Sequence, residues 1–224
     1  LGLFCLSMAG LNIDELLHGA RDALTFCLST NLDENYAAQS ALLLYLHHRQ
    51  GVAIHDLFLF SVDLETMGKW YRQLMGESIG KEFDLQGNRV YTGITPTVSL
   101  GTIDLHSVAQ LYLGGPRDKY TTFVAVENGS QKIVIDQAYL SELQGKKLSY
   151  VMNAFLQGTQ RAYHNNGRPF STLILPEKNE YYLGQCMQYK MVEMVLLGYL
   201  LNVDPFDQPN VDLYKQEVKK LLDQ

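Results

Sequence analysis

Short apolar runs separated by helical patterns constrain the fold of this chain more than any other feature. Residues 52–61, 120–127 and 170–175 are rich in β-branched and aromatic side chains. Uninterrupted apolar runs of this length are typical of strands that are buried on both faces of a parallel sheet. Residues 97–100 are a further strand candidate, and residues 133–135 could add a short edge strand. The sequence therefore predicts four or five strands.

Helical patterns fill the segments between these strands. Asn12 is a suitable N-cap for the first long helix, with Glu15 at the capping-box position, and residues 1–11 predict a buried helix before it. Further helices are predicted over residues 36–48, 62–75, 101–113, 148–165, 181–201 and 211–222. Strands that alternate with helices indicate a parallel sheet covered on both faces, and five strands are too few for a closed eight-stranded barrel.

We therefore predict one domain over residues 1–224, a three-layer α/β/α sandwich with a mostly parallel, flavodoxin-like sheet. Residues 1–50 form its helical lead-in and residues 211–224 its terminal helix. The chain opens on apolar residues without an initiator Met, which indicates a piece of a longer protein.

Composition excludes several classes of partner. A net charge of −6 argues against a nucleic acid or an anionic membrane surface, because neither is attracted to an acidic protein. The longest apolar run, residues 191–201, is too short to cross a bilayer. Cys5, Cys27 and Cys186 lie in apolar helical patterns without the spacing of a metal site, so we predict buried free thiols, no metal and a cytoplasmic location.

The segment from Gln73 to Lys81 is the first that carries candidate chemistry. We expect the helix before it to end near residue 75, which places Glu77 and Lys81 in a loop. A carboxylate beside an ammonium group, where a helix meets a loop, is a plausible general base. Spacing alone favours the simpler alternative, a solvated ion pair between Glu77 and Lys81 at i,i+4. Gln73 lies one helical turn before Glu77 and should share its face.

Two later segments carry further candidates. His106 follows a predicted strand, and imidazole can carry or release a proton near neutral pH, although a lone His at such a position is more often a capping or surface residue. Residues 204–215 include Gln208 and end at Lys215. Taken alone, Lys215 would be a solvated side chain on an amphipathic helix.

Taken together, these segments resemble the glucose-6-phosphate isomerase family. Gln-x-x-x-Glu-Ser-x-Gly-Lys over residues 73–81 resembles its catalytic-base segment. Residues 101–110 resemble Gly-Thr-Thr-Asp-x-His-Ser-x-x-Gln, with Ile103 in place of a Thr. Residues 204–215 resemble Asn-Pro-Phe-Asp-Gln-Pro-Gly-Val-Glu-x-x-Lys, with Asp204 for Asn and Asn210 for Gly. The three matches follow the order of the family, and the third is the most specific.

The resemblance implies a fold, an activity and roles for five residues. It implies the sugar-isomerase (SIS) fold and the interconversion of glucose 6-phosphate and fructose 6-phosphate through an enediolate, a reaction of glycolysis and gluconeogenesis. Glu77 would be the general base, while His106 and Lys215 would open the sugar ring and stabilise charge. Gln73 and Gln208 would contact the hexose phosphate. Such proton transfer requires no metal or cofactor.

The family pattern also contains parts that this sequence lacks. A Gly-Arg-(Phe/Tyr)-Ser motif and a Ser/Thr-rich loop that binds the phosphate at a helix N-terminus belong to the family's first half. We therefore expect this chain to be the C-terminal SIS domain of a larger, homodimeric, two-domain enzyme in which His106 enters the neighbouring subunit's site. Without the N-terminal SIS domain, the chain should be inactive or nearly so.

Two alternatives remain open. The chain could be a regulatory SIS module that binds a sugar phosphate without catalysis, or it could be part of a fused bifunctional enzyme. Retention of Glu77, His106 and Lys215 together argues against the regulatory module, because binding alone does not need groups that transfer protons.

Overall fold

A parallel four-stranded sheet lies at the centre of the computed structural model, which describes residues 2–127 and 133–223. The strands are β1 (Ile54–Leu59), β2 (Lys81–Phe83), β3 (Arg89–Thr92), β4 (Thr95–Leu100), β5 (Lys119–Val126) and β6 (Phe170–Leu175). The helices are α1 (Gly2–Met8), α2 (Ile13–Cys27), α3 (Tyr36–Arg49), α4 (Glu65–Ile79), α5 (Ile103–Ser107), α6 (Ala109–Gly114), α7 (Leu148–Asn165), α8 (Glu180–Leu200) and α9 (Val211–Leu222).

The strand order β4-β1-β5-β6 confirms the predicted α/β fold. β1 pairs in parallel with both β4 and β5, and β5 pairs in parallel with β6. β2 and β3 form a separate antiparallel hairpin. All four strands of the main sheet therefore share one N-terminal edge and one C-terminal edge. Among the described residues no helix is long and apolar enough to cross a membrane.

Side-chain alternation along β1 builds one core on each face of the sheet. Leu57 and Leu59 point to one face, and Phe58 and Phe60 point to the other. The first face packs against α3, α4 and α8, and the second against α6 and α7. The central strands β1 and β5 are thus buried along most of their length, whereas the edge strands β4 and β6 are largely half-buried or exposed.

Two glycines allow α2 to cross α8 closely. A Cβ atom at Gly19 would lie 1.9 Å from the backbone oxygen of Tyr181, and one at Gly184 would lie 2.0 Å from that of Leu16. A side chain at either position would therefore collide with the backbone. The predicted N-cap is confirmed as well, because the Asn12 side chain accepts a hydrogen bond from the backbone N–H of Glu15 at 3.2 Å.

Several local expectations differ from the structure. Residues 76–96, for which the sequence predicts no strand or helix, contain the β2–β3 hairpin, which has no apolar run because its residues are largely exposed. The helix predicted over residues 101–113 is divided into α5 and α6 at Val108. In place of a strand over residues 133–135, Val134 makes a single bridge to Lys147.

A helix is present at the chain start as predicted, but the prediction that it is buried is wrong. α1 has no buried residue, and its apolar side chains face outward because α1 packs weakly, against α2. Cys5 lies in this helix and is exposed, which corrects the prediction of three buried thiols. Cys27 and Cys186 are buried, and burial raises the pKa of each thiol to about 11.

Candidate functional site

α4 presents Gln73 and Glu77 together near its C-terminal end. The helix continues through Gly76 to Ile79, so Glu77 stands on a helix and not in the predicted loop. The opposite face of α4 is anchored in the core by buried side chains, among them Tyr71 and Met75. Gln73 is exposed and Glu77 is half-buried, and Gln73 Nε2 donates a hydrogen bond to Glu77 Oε1 at 3.2 Å. The shared face predicted from the spacing is therefore present, and the amide orients the carboxylate.

The alternative ion pair between Glu77 and Lys81 does not form. Lys81 begins β2, immediately after the end of α4, and only 5% of its side chain is exposed. Its ammonium contacts the backbone oxygen of Asp207 and lies 2.9 Å from Asp207 Oδ1. Since the chain turns at Gly80, Lys81 points away from Glu77 and leaves the carboxylate free of it.

The loop that carries Gln208 lies against the β2–β3 hairpin. Asn210 Nδ2 donates to Glu82 Oε2 at 3.1 Å, and the backbone N–H of Leu85 donates to the backbone oxygen of Asn202 at 2.9 Å. With the Lys81–Asp207 pair, these bonds fix residues 202–210 beside the end of α4. Gln208 is exposed within this loop.

α9 starts directly after the loop and carries Lys215 in its second turn. Lys215 is exposed, and its Nζ lies 3.4 Å from Asp212 Oδ1. α9 contributes no buried residue, so its position depends on the preceding loop. The structure gives no direct contact between Lys215 and Glu77.

Glu77 and Lys215 nevertheless belong to the same edge of the sheet. After β1, α4 runs back to the N-terminal edge of the sheet. Gly80, just after its end, packs closely against Gly93: a Cβ atom added at Gly93 would lie 3.1 Å from the Gly80 Cα. Gly93 comes just before β4 begins. α8 similarly returns after β6, and the loop that follows it meets β2 at the Lys81–Asp207 pair.

His106 lies at the other edge of the sheet. It is exposed on α5, the short helix that follows the C-terminal end of β4. Asp104 fixes this turn, because its side chain accepts from the Leu100 backbone N–H at 2.7 Å and from the Ser107 hydroxyl at 2.6 Å. One chain therefore does not bring His106 to Glu77.

A surface groove runs along α4 beside the Gln73–Glu77 pair. It has a volume of about 550 Å³ and contains two cationic side chains, Lys69 and Arg72, next to the amide and the carboxylate. An exposed groove with both charges can bind a small polar ligand, but it does not enclose one. Among the described residues no group of three His, Cys, Asp or Glu side chains is placed to hold a metal ion.

The sheet order, the two helical layers and this acid–amide pair define a three-layer α/β domain with a candidate proton-transfer site at the N-terminal edge of its sheet. The phosphoglucose isomerase family model matches residues 2–224. The chain belongs to that family.

Relatives agree with this assignment. The glucose-6-phosphate isomerase of Carboxydothermus hydrogenoformans is 36% identical over 226 residues, which cover 99% of this chain and 49% of that protein. The enzyme of the same name from Caldanaerobacter subterraneus is 33% identical, with 99% and 48% covered. The chain thus spans about half the length of the curated relatives it matches.

Two crystal structures share the fold. A hypothetical protein from Thermus thermophilus superposes with a TM-score of 0.89 at 36% identity, covering 97% of this chain and 52% of that one. A glucose-6-phosphate isomerase from Chlamydia trachomatis gives a TM-score of 0.82 at 20% identity, covering 94% of this chain and 42% of that one. The second comparison shows the fold alone.

Sequence reasoning missed the Lys81–Asp207 pair. Both residues stand inside the motifs at residues 73–81 and 204–215, but spacing within a motif cannot show a contact between two motifs. One feature of the sequence could have indicated the pair: Lys81 and Asp207 carry opposite charges, and neither has an assigned part in the proposed chemistry.

Proposed function

We propose that this chain is the C-terminal half of a glucose-6-phosphate isomerase that interconverts glucose 6-phosphate and fructose 6-phosphate. The observation that carries the proposal is the half-buried Glu77 carboxylate, oriented by Gln73 and lying at the same sheet edge as the Gln208 loop and Lys215. Family membership and similarity to named isomerases over about half of their length support the same activity.

Glu77 is the general base in this proposal. It removes the proton from the carbon beside the carbonyl of the open-chain sugar and returns it to the neighbouring carbon. The intermediate is an enediolate, and the ammonium of Lys215 stabilises its developing negative charge. The Gln73 hydrogen bond holds one carboxylate oxygen, so that the other is free to take the proton. Gln208 contacts the sugar from the opposite loop.

The remaining parts come from outside this chain. We assign ring opening to His106 of a second subunit, because His106 lies at the sheet edge opposite Glu77 in its own chain. An N-terminal SIS domain binds the phosphate and completes each site. The resulting enzyme is a cytoplasmic homodimer. This arrangement explains why His106 lies within a motif that resembles a catalytic segment although it is exposed on a short helix far from Glu77 of its own chain.

The test compares the chain with the full-length enzyme in a coupled assay for glucose 6-phosphate. The chain alone should give no turnover above background, and the full-length enzyme should be active. Glu77→Gln in the full-length enzyme should lower turnover by roughly 10²–10⁴-fold, the usual contribution of a positioned acid or base. Glu65→Gln is the matched control, since Glu65 is another partly exposed carboxylate on α4 and pairs with Lys69 at 2.6 Å. A loss below tenfold for Glu77→Gln would remove Glu77 from the mechanism.

Binding without turnover distinguishes the regulatory alternative. If the full-length enzyme binds fructose 6-phosphate in calorimetry but does not exchange the proton at C1 or C2 with deuterated water, the catalytic proposal is wrong.

A further inference from the structure

We propose that Lys81 is a positioning residue, whose buried ammonium fixes the Gln208 loop and the start of α9 against the end of the helix that carries Glu77. This inference rests on the function proposed above. It gives a role to a residue that neither takes the proton nor contacts the sugar.

The burial of Lys81 is the first observation. Only 5% of its side chain is exposed, whereas the Asp207 side chain is 52% exposed. An ammonium group without a partner is costly to bury. The structure gives this ammonium two partner atoms, and both belong to Asp207. The buried Lys81 ammonium is therefore the fixed partner, and it holds the exposed loop at Asp207.

The positions joined by this contact are the second observation. Lys81 follows Glu77 by four residues, and Asp207 immediately precedes Gln208. The pair thus connects two candidate catalytic segments that are 126 residues apart in sequence. Bonds from Asn210 to Glu82 and from Leu85 to Asn202 support the same interface, but the Asn210–Glu82 bond is exposed to solvent.

The weak attachment of α9 is the third observation. No residue of α9 is buried, so the helix has no core contact of its own to define where Lys215 stands. Its position follows from the loop before it. Val203 and Pro205 anchor the start of that loop on α8, and the Lys81–Asp207 pair holds the part that leads to Gln208 and α9. A displacement of about 1 Å at a reacting group can cost roughly 10²-fold in rate.

Direct binding of the sugar phosphate by Lys81 is disfavoured by the same contacts. A phosphate ligand needs an accessible cation, and Lys81 is both enclosed and engaged twice by Asp207. Lys69 and Arg72 in the α4 groove are accessible instead.

Hydrogen–deuterium exchange on the chain tests the contact itself. Lys81→Met keeps most of the side-chain length and removes the ammonium. Residues 206–214 should then exchange at least tenfold faster, with protection unchanged in α8 and at Asn202 and Val203, which bond to its last turn. Lys119→Met is the matched control, because Lys119 is also a largely buried lysine (9% exposed) paired with a partly exposed aspartate, Asp118, and it packs on Tyr112 of α6 and not on α4. Equal exchange of residues 206–214 in Lys81→Met and the unmodified chain would overturn the proposal.

Kinetics of the full-length enzyme test the role. Lys81→Met should lower kcat/KM by roughly 10–10²-fold per folded molecule. Asp207→Asn keeps an oxygen within reach of the Lys81 ammonium and removes only the negative charge, so it should lower kcat/KM per folded molecule in the same direction. The double variant should be no worse than Lys81→Met alone, because both changes break one contact. The acid limb of the pH–rate profile should stay in place, since Glu77 remains the base.

The outcomes separate the two proposals. No turnover by the unmodified full-length enzyme would overturn the proposed function. Turnover that is unaffected by Lys81→Met and Asp207→Asn would overturn the positioning role alone. A variant that loses only folded protein, with unchanged kcat and KM in the folded fraction, would show a purely structural contact and would also overturn it.

Discussion

Replacing Lys190 by Met should be among the most destabilising single changes in this protein. Lys190 and Glu193 of α8 form an ion pair inside the core, where they are 2% and 0% exposed. The Lys190 ammonium lies 2.9 and 3.0 Å from the two carboxylate oxygens. Burial by itself lowers the pKa of Lys190, but the Glu193 carboxylate more than offsets this and the pKa is raised. Lys190 is therefore charged in the folded state.

The carboxylate also connects α8 to the helix that carries Glu77. Ser40 donates a hydrogen bond to Glu193, and the Tyr71 hydroxyl of α4 donates to its other oxygen at 3.3 Å. Tyr71 lies 3.2 Å from His55 Nδ1 as well. When the ammonium is removed, a buried negative charge remains with two hydroxyl groups as its only described partners. Breaking a buried pair in this way costs about 3–5 kcal/mol, out of a total unfolding free energy of about 5–15 kcal/mol.

Urea unfolding, followed by the fluorescence of the single tryptophan, Trp70, and by circular dichroism, measures this loss. With a denaturant slope of roughly 2–3 kcal/mol per molar, the midpoint should fall by about 1–2.5 M. The double variant Lys190→Met/Glu193→Leu should be more stable than Lys190→Met, because it leaves no unpaired charge.

Acid should partly restore the Lys190→Met variant. An unpaired buried carboxylate has a raised pKa, so the folded state binds more protons than the unfolded state and gains stability as pH falls. Relative to the unmodified chain, the variant should therefore recover between pH 7 and pH 5. A loss below about 1 kcal/mol, or a double variant less stable than Lys190→Met, would refute the reasoning.

Two further predictions concern folding stability. Gly19→Ala should lower the free energy of unfolding by about 1–3 kcal/mol or more, because its Cβ would collide with the Tyr181 backbone oxygen. Gly158→Ala in α7 is the control and should be neutral or stabilising, because a Cβ there meets nothing within 4 Å. Equal effects of the two substitutions in urea unfolding would contradict the close α2–α8 crossing. Burial, followed by the nearby Lys190 charge, lowers the pKa of His55 well below its usual 6.5. The unfolded state then binds more protons below pH 6.5, so stability should fall by up to about 1.4 kcal/mol per pH unit as the solution is acidified. His55→Gln should remove that part of the slope, and parallel pH curves for the two proteins would disprove it.

The sequence alone determined the layers of this fold and the limits of several elements. α7 at residues 148–165, β6 at residues 170–175 and α9 at residues 211–222 match their predicted bounds, and Asn12 caps α2 as expected. These features depend on local backbone preference and on the period at which apolar side chains recur, and both are written in neighbouring residues.

Only the tertiary structure decided how the candidate residues are arranged. It placed Glu77 on a helix, paired Lys81 with Asp207 and put His106 at the opposite edge of the sheet. A polar side chain takes whichever partner the topology brings within hydrogen-bond distance, and that partner can stand more than a hundred residues away. Exposed segments such as α1 and the β2–β3 hairpin were misjudged for a related reason, since their surroundings depend on what packs over them and not on their own pattern.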